Sequence, residues 1–425
     1  MFKPISISLS PNVEKDDIRL ALNLIIKPWL WKRGNAIKEL ENEFKKYLGV
    51  RYAFSFNSGR SAFYSILKSL ELERGSEVLL QAFTCNAAVN PILWQGLKPV
   101  YVDCDKDSFN VDISDLKAKI SPETRVLMVQ HTFGMPVNMD EIMAIACPPK
   151  PAGEGGCDAP LILIEDCAHA LGAEYKGQKV GSFGKASFFS FSRDKIISSV
   201  YGGMAVTNDD VFGKKLEEMQ KEFGQPSYFW IFQQLLHPIL LHYVILPIYN
   251  FLDLGKIFLV LSQWFHILSK AVHWKEKRGV MPNYFPKALP NALAIMALNQ
   301  FKKIEKLNNH RQKISEIYYQ GLKNTNFSLP QKFENRKSVF LRFTVKHPKA
   351  HEIIYNAWHK RNILLGDWYT TPIAPADTKL DQMRYKMGSC PTAEKLSKIT
   401  LNLPTHINIS QKDVERIVDF LKKFK

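Results

Sequence analysis

Between residues 78 and 206 the chain repeats one unit, a short apolar run rich in β-branched and aromatic residues followed by a stretch with helical spacing. The apolar runs fall at 78–81, 100–103, 126–130, 161–165, 186–190 and 204–207, and 52–56 has the same character. Strands of this kind, joined through helices, are satisfied by a mostly parallel sheet with helices on both faces. At 425 residues and 46% hydrophobic, the chain can bury such a domain and a smaller one beside it. Residues 1–310 form the expected large domain, with an apolar insert at about 225–275. Residues 311–425 form the small C-terminal α/β domain, with a strand-like run at 339–345 and helical runs at 351–360 and 411–424.

Two residues at neighbouring strand ends point to chemistry. Lys195 closes Ser190-Phe-Ser-Arg-Asp-Lys195, and Asp166 ends the apolar run Leu-Ile-Leu-Ile-Glu165-Asp166. Pyridoxal phosphate (PLP) needs a lysine amine for a Schiff base and a carboxylate that keeps its ring nitrogen protonated. A third element lies upstream, where the run 52–56 passes through Asn57-Ser58-Gly59-Arg60-Ser61 into a helix expected from Ala62. Backbone N–H groups at a helix start, beside small hydroxyl residues and a glycine, suit a phosphate. Ser190 offers a second hydroxyl to the same anion. Each element alone has an ordinary structural reading, as a solvated lysine, a loop acid or an N-cap; the inference rests on the set.

With these residues in place, the chain resembles the sugar aminotransferases grouped with DegT, DnrJ and StrS, members of the fold type I PLP-dependent enzymes. The likeness runs through the Ser58-Gly59 loop, Glu77-Val-Leu-Leu-Gln-Ala-Phe-Thr84, Pro99-Val-Tyr-Val-Asp103 and Gln130-His-Thr-Phe-Gly134. It continues through Ile164-Glu-Asp166-Cys-Ala-His169, Gly181-Ser-Phe-Gly184, the lysine motif, Gly202-Gly203 and Pro282-Asn283-Tyr284. The resemblance implies a large PLP-binding domain plus a small C-terminal domain, and a homodimer with a shared active site. It implies Lys195 as anchor and general base, and Asp166 on the pyridine nitrogen. Ser190 and the Ser58-Gly59-Arg60 backbone would hold the phosphate, with His169 near the ring hydroxyl and Asn283 reaching the neighbouring subunit's cofactor. The implied activity moves an amino group from L-glutamate to a keto group on a nucleotide-linked or lipid-linked sugar, as in polysaccharide biosynthesis.

Three departures accompany it. Cys85 stands where many relatives stack an aromatic residue on the PLP ring; Phe285 replaces the Arg that usually follows Asn283-Tyr284; Arg60 and Arg193 replace small or neutral residues. The two arginines read either as a clamp for a substrate phosphate or carboxylate or as salt-bridged structural residues. Trp29, Trp31 and Asp367-Trp368-Tyr369 are further candidates for acceptor recognition. A dehydratase of the same family would carry His at the Schiff-base position, against which Lys195 argues. An inactive membrane-associated scaffold would draw its support from Cys85 and Phe285.

The six cysteines show no metal-ligand spacing, no metal is expected, and the first residues lack an apolar signal core, so a reducing, cytoplasmic setting is expected. Cys147 and Cys157 bracket a Pro/Gly-rich stretch read as an inserted surface loop. The formal charge of +16 comes without a nucleic-acid-binding motif, so no nucleic-acid partner is expected. The segment 228–270 is unusually apolar, and residues 229–252 contain no Asp, Glu, Lys or Arg. Gln233, Gln234, His237, Pro238 and Pro247 interrupt it, which argues against a spanning helix. Two readings stay open: a helical hairpin buried against the domain or a dimer partner, and a peripheral patch at the inner face of a membrane.

Overall fold

A computed structural model describes residues 3–147 and 161–424. The loop expected between Cys147 and Cys157 lies outside the described residues. The centre is a seven-stranded sheet in the order Tyr52–Phe56, Gly203–Thr207, Ala186–Ser190, Ile162–Asp166, Thr124–Gln130, Glu77–Gln81, Lys98–Val102. Six strands run parallel, and Gly203–Thr207 alone runs against both neighbours. Its strands are buried on both faces, as their near-continuous apolar runs require.

Register assembles the site. Gly203 pairs with Phe56 on one side and Ser190 on the other, which brings the turn after Phe56 beside the end of the strand that leads to Lys195. The approach is close enough to demand glycine, since a Cβ on Gly203 would lie 2.4 Å from the Gly59 nitrogen. On the next strand, Asp166 pairs with Phe188 and Gln130, so the acid ends at the same sheet edge. Lys195 follows in a turn whose carbonyls at 195 and 196 accept from the Asn12 amide.

A second core gathers around the antiparallel pair Phe343–Lys346 and Thr400–Leu403 with the helices Ala350–Arg361 and Gln411–Leu421. The helix Ile304–Leu322 passes from one core to the other, with Ile304 and Leu307 in the large core and Ile314, Tyr318 and Leu322 in the small one. The expected division at 310/311 therefore falls inside a continuous helix, and Ile5, near the N-terminus, packs in the small core.

The apolar insert begins with the helix Tyr228–Leu240, capped by the Ser227 hydroxyl, which accepts from the Trp230 N–H. Trp230, Ile231, Leu235 and Ile239 bury in the main core, and the helix packs on Lys15–Ile25. A wide turn at Leu241–Ile245 follows, then the helix Leu254–Trp264. No helix among the described residues is long and apolar enough to cross a membrane.

Candidate active site

The strand ends open onto a cavity lined by Ser58, Gly59, Arg60, Cys85, Asp166, His169, Ser190, Arg193, Lys195, Trp368 and Tyr369, among others. Most of the expected site residues therefore meet in one place. Trp29 and Asn283 do not line it: Trp29 is 69% exposed on the short turn Pro28–Leu30, and Asn283 is exposed on the surface of its own chain. Trp31 is buried in the main core, with its indole N–H donating to the Leu24 carbonyl.

Adjacent residues on a strand face opposite ways, and this separates two acids. Glu165 turns away from the cavity, where its carboxylate accepts from the N–H groups of Gly181, Phe183 and Gly184. His131 accepts from the Val137 N–H through Nδ1 and so donates from Nε2 to the same carboxylate at 3.2 Å. Although His131, Glu165 and Cys167 lie close enough to share a cation, these bonds already engage the His and Glu side chains. Asp166 faces the cavity with one strong donor, the Ala168 N–H at 2.9 Å. Burial raises its pKa to about 6, against the opposing pull of that N–H, Lys195 and His131.

Burial also lowers the Lys195 amine to about 8, although Cys85 and Asp166 favour its charged form. Its ammonium lies 4.8 Å from the centre of the Trp368 ring. Trp368 in turn stacks on His169 at 5.4 Å and carries the Arg342 guanidinium on its ring at 3.4 Å. His169 is held neutral by burial, its pKa well below the usual range. Its Nδ1 accepts from the Phe133 N–H, so Nε2 carries the proton and points to the Tyr369 hydroxyl at 3.5 Å.

The loop expected to hold a phosphate is a helix start. Ser58 takes an extended conformation and its hydroxyl accepts from the Ser61 N–H at 3.0 Å, so the helix runs Gly59–Ser69, three residues earlier than expected. Early N–H groups of a helix have no intrahelical acceptor, so those of Gly59 and Arg60 remain for an anion at the cavity wall. A Cβ on Gly59 would lie 3.0 Å from the Ser190 Cβ, so both sides of the cup are within reach of one phosphate. Lysine, facing acid and anion cup together fit PLP: Asp166 suits the ring nitrogen, His169 the ring edge, and the cup the phosphate.

The two arginines separate. Arg60 ion-pairs with the fully buried Glu276 and lies over the Phe285 ring at 4.7 Å. Burial opposes its charge, but Glu276 outweighs that and leaves its pKa raised. Arg193 has no carboxylate within ion-pair distance among the described residues. It donates from Nη2 to the backbone and hydroxyl oxygens of Ser269, both at 2.6 Å, while its buried Nε finds no acceptor among the described residues. Burial pushes its pKa down. Arg193 therefore lines the cavity as a buried guanidinium whose charge no carboxylate among the described residues offsets at ion-pair distance.

Cys85 caps the helix Asn86–Trp94, its sulfur accepting from the Ala87 N–H, and burial pushes its thiol up. The aromatic surfaces at the cavity come instead from Tyr201, Phe188, Trp368 and Tyr369. Sequence reading misses Glu276, Arg342 and Tyr201. Glu276 sits in Trp274-Lys-Glu-Lys-Arg278, which reads as a solvated charge run. Arg342, within the strand-like Val339 to Val345 run, offered a signal as a charge in an apolar stretch.

Buried lysine, opposing acid and anion cup at the edge of a mostly parallel sheet define a fold type I PLP-dependent architecture. The sequence pattern of the DegT/DnrJ/EryC1/StrS aminotransferase family matches residues 11–230 and 272–422, and the chain belongs to this family. It is 26% identical to UDP-N-acetyl-3-dehydro-alpha-D-glucosamine 3-aminotransferase of Acidithiobacillus ferrooxidans, over 96% of this chain and 94% of that protein. A shorter stretch, 43% of this chain and 47% of the relative, is 37% identical to GDP-perosamine synthase of Escherichia coli O157:H7. The fold matches Helicobacter pylori PseC, an aminotransferase involved in the biosynthesis of pseudoaminic acid, with a TM-score of 0.74, 22% identity and 99% of each chain covered. It also matches Streptococcus pneumoniae Spr1654 in its PLP-form, with a TM-score of 0.72, 22% identity, and 100% and 97% of the two chains covered. Family and relatives make this chain a sugar aminotransferase of the PLP-dependent class.

Proposed function

We propose that this chain takes an amino group from L-glutamate and delivers it to a keto group on a nucleotide-linked or lipid-linked sugar, with PLP in the cavity and Lys195 as the residue that moves the proton. The convergence of Lys195 and Asp166 on one buried cavity carries this reading. Bound PLP supplies the electron-accepting ring that lets an amino group pass between donor and acceptor. The Gly59 and Arg60 N–H groups with Ser190 hold the phosphate. Asp166 holds a proton at the ring nitrogen, and that cation would in turn stabilise the carboxylate that burial disfavours. Near neutral pH an amine at about 8 is about one-tenth to one-quarter free base, so the Lys195 Nζ can both take and return a proton.

Arg193 is the anchor for the carboxylate of the donor or an acidic group of the acceptor, whereas Arg60 is committed to Glu276 and contributes its backbone to the cup. Trp368 and Tyr369 form the acceptor side of the cavity. The exposed position of Asn283, outside its own cavity, supports a homodimer in which it serves the partner's cofactor. The test is the donor half-reaction. Purified protein given L-glutamate and no acceptor should release one equivalent of 2-oxoglutarate per site, and Lys195→Ala should release none. Continued failure of PLP-loaded protein to release any would sink the reading.

A further inference from the structure

The family pattern skips residues 231–271, and this insert is built in two halves of opposite character. The first half turns its apolar residues into the main core. In the second, the helix Leu254–Trp264, the relation is inverted. Gly255 and Ser262 are its buried residues, while Ile257, Val260, Leu261 and Trp264 face outward, followed by Phe265. A helix against water shows the reverse arrangement. The outward residues have no room to rotate in: a Cβ on Gly255 would lie 2.4 Å from the Ile245 carbonyl oxygen, so the helix is seated through its smallest residue. Exposure reaches 69% at Trp264 and 79% at Leu252, in the turn before the helix. That is a contiguous run of large apolar side chains, not the scattered exposure normal for a surface.

A basic cleft opens at the start of this helix. Lys256 lines it from the helix itself, joined by Lys3, Lys360, Arg361 and Arg416. The acid in the lining, Asp253, is paired to Lys256 at 2.7 Å. Eleven residues make a helix about 16 Å long, roughly half the hydrocarbon thickness of a bilayer, so it cannot span one.

We propose that the second half of the insert docks on an anionic lipid bilayer, with Trp264 and Phe265 entering the headgroup and acyl boundary and the Lys/Arg cleft taking lipid phosphates. Apolar face and cationic rim are the two components of an interfacial anchor. A second copy would satisfy only the first, because it brings the same basic cleft and no anionic group to fill this one. The insert then returns to the active site. Ser269 accepts from Arg193, the Lys270 carbonyl from Tyr201, and the Ala271 carbonyl from Arg60, so the docked segment and the cavity wall are one stretch of chain. On this account the cavity is held at a bilayer surface, within reach of an acceptor carried there.

The test is flotation of the PLP-loaded full chain with phosphatidylcholine vesicles, with and without phosphatidylglycerol. The chain should float with the anionic vesicles and about tenfold less with neutral ones or in high salt. The double variant Trp264→Ser/Phe265→Ser should lose about tenfold or more of that binding, and so should Lys360→Glu/Arg361→Glu. All four side chains are exposed, so the donor half-reaction should be unchanged in both variants and serves as the folding control. Absence of binding to anionic vesicles overturns the proposal, as does undiminished binding of the Trp264/Phe265 variant. A Trp264/Phe265 variant that loses oligomer mass in light scattering would also overturn it, by showing that a second copy covers the face. None of these readouts depends on the identity of the acceptor.

Discussion

Replacing Asp166 by Asn should stabilise the apoprotein while disabling it. The buried carboxyl titrates at about 6 instead of 3.8, a displacement that corresponds to about 3 kcal/mol of unfavourable charge burial at neutral pH. The sign follows from the unfolded chain, which ionises more readily. As pH rises from the unfolded value toward about 6 the native state loses ground, and above about 6 the full cost is present. Asn keeps the oxygen that accepts from the Ala168 N–H, so the substitution removes the charge and spares that bond. Its new amide hydrogens offset part of the gain, which makes about 3 kcal/mol an upper bound. The assay is urea unfolding of PLP-free wild type and Asp166→Asn between pH 3.5 and pH 8. The Asp166→Asn variant should be more stable by about 1–3 kcal/mol at pH 7.5, with the gap closing toward pH 4. The loaded variant should turn over about a hundredfold or more slowly. A variant that is less stable than wild type at pH 7.5, or a gap that does not change with pH, would refute the reasoning.

Capture of PLP by the apoprotein should accelerate with pH through about 8, because the neutral amine attacks the aldehyde; at pH 7 about one-tenth of Lys195 is neutral, against about one in three thousand for an ordinary lysine. Stopped-flow rates that climb only near pH 10 would contradict this. Glu276→Gln leaves Arg60 buried without its partner and should cost about 3–5 kcal/mol in urea unfolding, with much of it regained in Arg60→Met/Glu276→Gln. Arg193→Met should raise KM for the anionic substrate it anchors while PLP retention is preserved, which steady-state kinetics and the visible spectrum separate. Asn283→Ala should weaken PLP retention on dialysis, and unchanged retention would count against a site shared between subunits.

The central strands are legible because a strand buried on both faces is a continuous apolar run, and 52–56 and 186–190 stand where the spacing puts them. Asp166 is legible because it closes such a run, and Lys195 because it follows another within a short turn. Gly59 marks a helix that begins earlier than its apolar spacing suggests, since the cap is set by the Ser58 side chain and not by burial. What the chain does not disclose depends on partners far away in sequence. Arg60 and Arg193 look alike until Glu276 arrives beside one of them, and Glu276 itself stands in a run of charges that looks solvated. Composition marks 228–270 as apolar, but which half turns inward depends on packing against Lys15–Ile25 and on the close seating of Gly255. Trp29 shows the converse: an aromatic residue that looks suited to a substrate sits on the surface, away from the cavity.

The most direct test of the account is the visible absorption of purified protein, recorded with and without L-glutamate beside Lys195→Ala. Wild type should show a band of lysine-bound PLP that is lost on addition of glutamate and missing in the variant. Wild-type protein that cannot be loaded with PLP, or whose band is indifferent to both glutamate and the loss of Lys195, would contradict it.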